Sequence, residues 1–393
     1  MSQAQRSDAA RPHRQAGGET LADLGEWELI RRLGAFAPVD QFSDDAALLS
    51  GRQEGQGDLV VNTDVLVEGL HFSDATTAAA DVGWRAAAAN LSDLAAMGAT
   101  EVLGLTVGLV APSSTRWSWV QGVYRGLSQC LGSHGGVLLG GDCSSGMQRL
   151  LAITALGRLP NGGGPIRRSD GRPGDRLVST GPHGLSRLGL ALLQGELTDR
   201  RSSTEDATPK HGDPCADGPS ETPCQPPSTG GDPGQQPGQP RQLPLGAAVI
   251  ERAIRAHQRP VPRFDAVRAL IGCRPAGLAW RVGGCDSSDG LAAAATAIAQ
   301  ASGCAARLSR ERLPLEPAMA TLPQARAWCL NGGEDFELVL ALEEGWAEAL
   351  LRALPGTTVF GELVAGTAGA LCWTDGEACR GEAETAGGYQ HFR

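Results

Sequence analysis

Lysine is almost missing. In 393 residues the chain has one, Lys210, although Lys and Arg together number 34. This scarcity excludes the P-loop, whose lysine reaches the terminal phosphates of a nucleotide, and no GxxxxGKS/T string occurs. It also excludes a lysine Schiff base outside the polar stretch that holds Lys210. No GxGxxG follows a strand pattern, and no GxSxG elbow is present. The ten cysteines form no CxxC pair, and no Cys/His set has zinc spacing. They read as reduced thiols of a cytoplasmic protein. No apolar run approaches the ~18 residues of a membrane span. Aromatic residues make up only 4%, and the formal net charge is −10, which argues against nucleic acid as a main partner. Phosphate ligands remain possible where metal ions supply positive charge.

The remaining sequence alternates between helical and strand patterns. Residues 1–20 lack an apolar stretch and read as a disordered leader. Residues 21–36 carry a helical stripe. The segment 58–67 is strand-like, 76–99 a long helix stopped at Gly98, 101–110 a strand, 114–135 a helix, and 136–142 and 150–159 strands. This predicts a layered α/β N-terminal domain over 21–160. A second α/β domain over 161–393 opens with strand, Gly turn and helix at 174–195. It resumes with helical patterns at 245–256 and 290–302 and ends in a strand-rich part. Residues 199–242 are rich in Pro, Gly, Gln, Ser and Asp with almost nothing apolar, and read as a disordered insertion within that domain.

Acids recur against apolar runs. "FSDDAALL" carries Asp44 and Asp45, "VVNTDVLV" Asn62, Thr63 and Asp64, "NLSDLAAMG" Asp93, "LLGGDCSS" Asp142, and "GGCDSSDGL" Asp286, Ser288 and Asp289. Each has an ordinary reading: Ser288 or Asp289 as a helix N-cap, Asp142 as a turn residue, Asp93 as a solvated carboxylate. Together they point elsewhere, because converging buried acids repel one another unless cations compensate them. Oxygen ligands without His or Cys select Mg²⁺ or Mn²⁺, and Mg²⁺ bridges substrate phosphates. The stretch "LNGGEDFELVL" places Glu334 and Asp335 against a buried-strand pattern, behind two glycines.

These strings, in this order, resemble the thiamine-monophosphate kinase family, part of the superfamily of aminoimidazole ribonucleotide synthetase. "SDDAALL", "NTDVLVEGLHF", "NLSDLAAMGA", "GGDCSS", "RSDGRPGDRLVSTG", "RPVPR", "DSSDGL", "GGEDFEL" and the terminal "GGYQHF" carry the resemblance. It implies a two-domain α/β fold whose N-terminal domain pairs with a second copy across a two-fold axis, hence a homodimer. It implies ATP-dependent phosphorylation of thiamine monophosphate to thiamine diphosphate, with several Mg²⁺ ions. By position, Asp45, Asn62, Thr63, Asp64, Asp93, Asp142, Asp286 and Asp289 are implied as metal ligands. Gly141, Asp142, Arg168 and Ser288 are implied at ATP, and His71, Glu334 and Tyr389 at thiamine monophosphate. The chain departs from the family pattern at Ser43, Asn62, Cys143 and Arg187.

The acceptor is itself an ionised phosphate monoester. The chemistry therefore needs alignment and charge neutralisation in direct in-line transfer, and no covalent nucleophile is assigned. Other readings are a sister activity of the same superfamily (purine-ring synthetase, selenophosphate synthetase, hydrogenase maturation) or a non-catalytic nucleotide or thiamine-phosphate binder. Against these, the first cysteine is Cys130 and the chain ends in "GYQHFR".

Overall fold

The computed structural model describes residues 20–39, 41–50, 57–161, 163–197, 245–376 and 379. The proposed leader (apart from Thr20), the insertion and Tyr389 lie outside them. The N-terminal half runs α1 (Leu21–Leu33), β1 (Ala47–Leu49), β2 (Leu59–Val67), α2 (Ala79–Ala96), β3 (Glu101–Ala111), α3 (Trp117–His134), β4 (Val137–Ser145) and β5 (Leu150–Arg158). Its five strands lie in the order β1-β2-β5-β3-β4. Only β3 and β4 pair in parallel, with α3 as their crossover.

Small residues set how α2 and α3 meet. A Cβ on Gly126 would stand 1.8 Å from the Ala80 carbonyl oxygen, and one on Gly83 would stand 1.9 Å from that of Val123. The two backbones therefore touch directly, and the Ala-rich α2 lies buried between α3 and the sheet. The sheet's last strand contrasts with this. All nine residues of β4 are exposed, including Val137, Leu138 and Leu139. Helix α1 has a capping box between Thr20 and Asp23 yet buries no residue.

The C-terminal half runs β6 (Arg176–Ser179), α4 (Leu185–Leu193), α5 (Ala247–Gln258), α6 (Phe264–Gly272), β7 (Gly283–Asp286), α7 (Leu291–Ala301), β8 (Ala305–Leu308), α8 (Ala325–Asn331), β9 (Leu338–Leu342), α9 (Glu344–Ala353), β10 (Thr358–Val364) and β11 (Leu371–Trp373). The strand order is β11-β8-β10-β6-β9-β7. Strand β9, flanked by β6 and β7, is buried at every residue, as the unbroken run of Leu338, Val339 and Leu340 predicts.

The fold is thus mixed α/β with two sheets, as expected. The sheets share one main core: Leu91 and Leu94 of α2 belong to the same buried cluster as Phe264 of α6, Leu338 of β9 and Trp346 of α9. The seam between the halves is therefore packed apolar surface along part of its length. Polar side chains gather where that packing opens. Helix α9 falls within the part predicted to be strand-rich, and the predicted helix over 76–99 begins only at Ala79, after a turn bonded through Ser73.

Candidate active site

The acids converge at this opening from separate elements. Asn62 and Asp64 stand on one face of β2, Asp93 on α2, Asp45 just before β1, Asp286 at the end of β7 and Asp289 just before α7. Asp45, Asn62, Asp64, Asp93, Arg168 and Asp289 line a cavity of about 620 Å³, with Trp27, Ile30 and Leu33 of α1 and Phe42 on its apolar side.

Hydrogen bonds join the acids. The Asp286 amide donates to Asp45 Oδ2 at 3.1 Å, and the Ser92 hydroxyl donates to Asp286 Oδ2 at 2.7 Å. Asp286 Oδ1 accepts from the amide and hydroxyl of Ser288 at 3.2 and 2.9 Å. Asn62 Nδ2 donates to Asp93 Oδ2 at 2.7 Å and to Asn90 Oδ1 at 3.2 Å, which fixes the orientation of the amide. Asn62 Oδ1 is left buried with no hydrogen-bond partner.

Burial and mutual repulsion raise the proton affinity of these carboxyls. Burial, opposed by Arg168 and reinforced by Asp286, pushes Asp45 up to about 7. Burial and Asp286 push Asp64 up to about 6. Burial, then Asp286 and Glu26, do the same to Asp289. Asp93 is raised well above the usual carboxylate range by burial and by Asp64, Asp286 and Asp45. The guanidinium of Arg168 pairs with Asp45, and its amide donates to Asp44 at 2.9 Å, while Arg168 Nε is buried without a partner.

A hard cation fits this donor set: carboxylates short of positive charge, an orphaned amide oxygen, and no His or Cys among the ligand candidates. Among the described residues, no three His, Cys, Asp or Glu side chains are already grouped around one ion position.

Some predicted ligands stand apart. Thr63 borders the cavity beside Asn62 and Asp64, but its hydroxyl is 2.9 Å from that of Thr154 on the neighbouring strand, and strand alternation puts that hydroxyl on the opposite face. Gly141 and Asp142 lie on exposed β4, three strands from β2 with β5 and β3 between, roughly 14 Å from β2 at the usual strand spacing. Gly141 has a structural reason of its own, since a Cβ there would stand 2.0 Å from the Val107 carbonyl oxygen. The helix-cap reading of Ser288 and Asp289 fails, because α7 starts at Leu291 with Gly290 as its N-cap and no side-chain cap.

The GGEDF turn has one task per acid. Glu334 Oε1 accepts from Arg85 Nη2 of α2 at 2.5 Å, and the Glu334 amide donates to the Ser288 carbonyl at 2.7 Å. Asp335 accepts from the amides of Gly184 and Ser186 at 2.7 and 3.0 Å, closing the start of α4. Glu337 pairs with Arg263 and accepts from the Thr180 hydroxyl at 2.6 Å. Glu334 and Phe336 have φ of 56° and 52°, left-handed values that cost non-glycine residues ~1–2 kcal/mol each. His71 sits in the turn after β2, where its Nδ1 accepts from the Val67 amide at 3.0 Å, so the neutral ring carries its proton on Nε2.

Sequence reasoning missed Arg85, Asn90 and Ser92. The signal was present as polar residues on the α2 face that Asp93 shares, but their partners lie in distant segments.

Residues 43–159 match the family AIR synthase related protein, N-terminal domain. The chain is 41% identical over 376 residues to the thiamine-monophosphate kinase of Prochlorococcus marinus, covering 95% of this chain and 98% of that one. The chain belongs to the thiamine-monophosphate kinase family. To the thiamine-monophosphate kinase of Synechococcus elongatus it is 45% identical over 337 residues, covering 85% of this chain and 87% of the other. A solved structure of AaThiL complexed with AMPPCP and TMP shares the fold, with a TM-score of 0.70 at 24% identity, covering 96% of this chain and all of that one. Membership in this kinase family sets aside the sister-activity readings.

Proposed function

We propose that the protein phosphorylates thiamine monophosphate with ATP, giving thiamine diphosphate and ADP, by direct in-line transfer at the acid-lined cavity. The observation that carries this reading is the convergence of Asp45, Asp64, Asp93, Asp286 and Asp289 beside Arg168, in a member of this kinase family. Mg²⁺ bound there would be held by Asp45, Asn62, Asp64, Asp93, Asp286 and Asp289, and would supply charge neutralisation for the phosphates. Arg168 provides a fixed positive charge beside them, and Ser288, whose carbonyl accepts from the Glu334 amide, contacts ATP. Trp27, Ile30, Leu33 and Phe42 offer an apolar wall for the base. His71 and Glu334, with Tyr389 by position, bind thiamine monophosphate. The acceptor is already ionised, so the residues align it and need not deprotonate it.

The chain functions as a homodimer docked along β4, whose exposed Val137, Leu138 and Leu139 call for a partner. A second copy there would bring Gly141, Asp142 and the Thr63 face into a completed site. We place the protein in the cytoplasm, since all eight cysteines among the described residues are free and no helix there is long and apolar enough to cross a membrane. The two-domain division at residue 160 and the insertion's passive role are part of the same reading.

The test is chromatographic quantification of thiamine diphosphate and ADP formed from ATP and thiamine monophosphate, with Mg²⁺ and with chelator. Equimolar products that require both substrates and Mg²⁺ are expected. ATP hydrolysis indifferent to thiamine monophosphate would overturn the reading.

A further inference from the structure

Arg85 is a charged residue in the wall between the two halves, on α2 two turns before Asp93. Its side chain is only 4% exposed. Nη2 donates to Glu334 Oε1 at 2.5 Å and lies 3.4 Å from the His71 carbonyl oxygen, while Nη1 donates to the carbonyl oxygen of His257 on α5. One planar fork thus spans the His71 turn, α2, α5 and the GGEDF turn, joining two residues assigned to thiamine monophosphate. Planarity and five fixed donors make arginine suited to holding several oxygens in a set relation.

His257 does not supply the charge that holds Glu334. Its Nδ1 is 3.6 Å from Glu334 Oε2, and burial, then Arg85, push its pKa down to about 4, so it is neutral at pH 7. The backbone of Glu334 is fixed independently, by its left-handed φ, its amide bond to Ser288 and the Asp335 cap on α4. The side chain remains, about a third exposed, and Arg85 is the arginine that bonds it. A surface ion pair would be worth little, but here one partner is almost wholly buried, so the geometry is constrained.

We propose that Arg85 is a positioning residue for thiamine monophosphate, setting the Glu334 carboxylate and the His71 turn at a fixed separation across the seam. The proposal rests on the reading of Glu334 as a ligand of that substrate.

The test compares R85M, R85K, E334Q and the double variant R85M/E334Q by steady-state kinetics with each substrate varied. R85M is expected to raise KM for thiamine monophosphate about tenfold and to leave KM for ATP within about twofold. R85K, which keeps the charge but loses the fork, should fall between R85M and the parent. The double variant should be no worse than the poorer single variant, because Arg85 acts through Glu334. It also removes both charges together, so it avoids stranding Glu334 unpaired if R85M folds poorly. An equal rise in both KM values, unchanged KM in R85K, or multiplying effects in the double variant would overturn the proposal. Failure of the underlying reading looks different: E334Q alone would leave KM for thiamine monophosphate unchanged, or the parent protein would not turn that substrate over.

Discussion

Two groups of acids lie near the seam, and they are compensated in opposite ways. In the GGEDF turn every carboxylate has a built-in partner: Arg85 for Glu334, the α4 amides for Asp335, Arg263 for Glu337. In the cavity, Asp64 and Asp93 have no cationic partner among the described residues, Asp45 has Arg168, and Asn62 Oδ1 is left unpaired. The first arrangement fixes shape. The second leaves a charge deficit that must be met from outside. Removing an acid should therefore have opposite consequences in the two places.

The largest contrast is in catalysis. D64N and D93N should each lower turnover by about a hundredfold or more, roughly 2.7 kcal/mol of transition-state stabilisation, while melting temperature in chelator stays equal or rises. Calorimetric melts beside the coupled assay check both halves of that statement. Next, inactive D64N and D142N chains mixed and refolded together should regain about a quarter of parental activity if Asp142 serves the other copy's site, since half the dimers are mixed and each has one intact site. No recovery in a mixture shown to exchange subunits would return Asp142 to its own chain.

On the compensated side, D335A should cost about 1–2 kcal/mol of stability through loss of the α4 cap, measured by urea denaturation. A neutral result would mean that the turn holds α4 without it. The smallest effect concerns pH. Asp45 stands near 7 and Asp64 and Asp289 near 6, all raised above their unfolded values, so the folded state binds more protons than the unfolded chain between about pH 4 and 7. The stability these groups contribute is fully present below about pH 4 and is lost as pH rises through 6 to 7. In chelator, melting temperature should fall by about 3 °C or more between pH 5 and 8, with a shallower fall in D64N. Mg²⁺ should raise it again at pH 8, and a profile identical in D64N and parent would remove Asp64 from the deficit.

The contrast between the groups was only partly legible in the sequence. Local patterns located β2, α2, α3 and β9, because each carries its own periodicity and stops. The five acids could be singled out, because an acid within an apolar run is anomalous wherever the run folds. What one segment could not disclose was its partner. Arg85 and Glu334 are 249 positions apart, and nothing local distinguishes a salt bridge from a solvated charge. Strand order was equally hidden: Asp142 follows the same apolar-then-acid pattern as Asp64, but β5 and β3 insert between their strands. Thr63 borders the cavity with its neighbours, while period-2 alternation, invisible in its position beside them, sends its hydroxyl to the other face. Short α8 and the late helix α9 went unplaced among apolar residues that suit either period.

Strand β4 has a further consequence, one of mass action. In the proposed dimer, the nine successive exposed residues of this edge, three of them large and apolar, are what finds a copy of the chain. While newly made chains are scarce, that edge meets whatever other unpaired strands surround it, and sticky edges pair indiscriminately. Specific activity should then depend on how much of the protein is present. It should sag on dilution below the dissociation constant and recover on concentration, so that synthesis level sets the output of each molecule as well as the number of molecules.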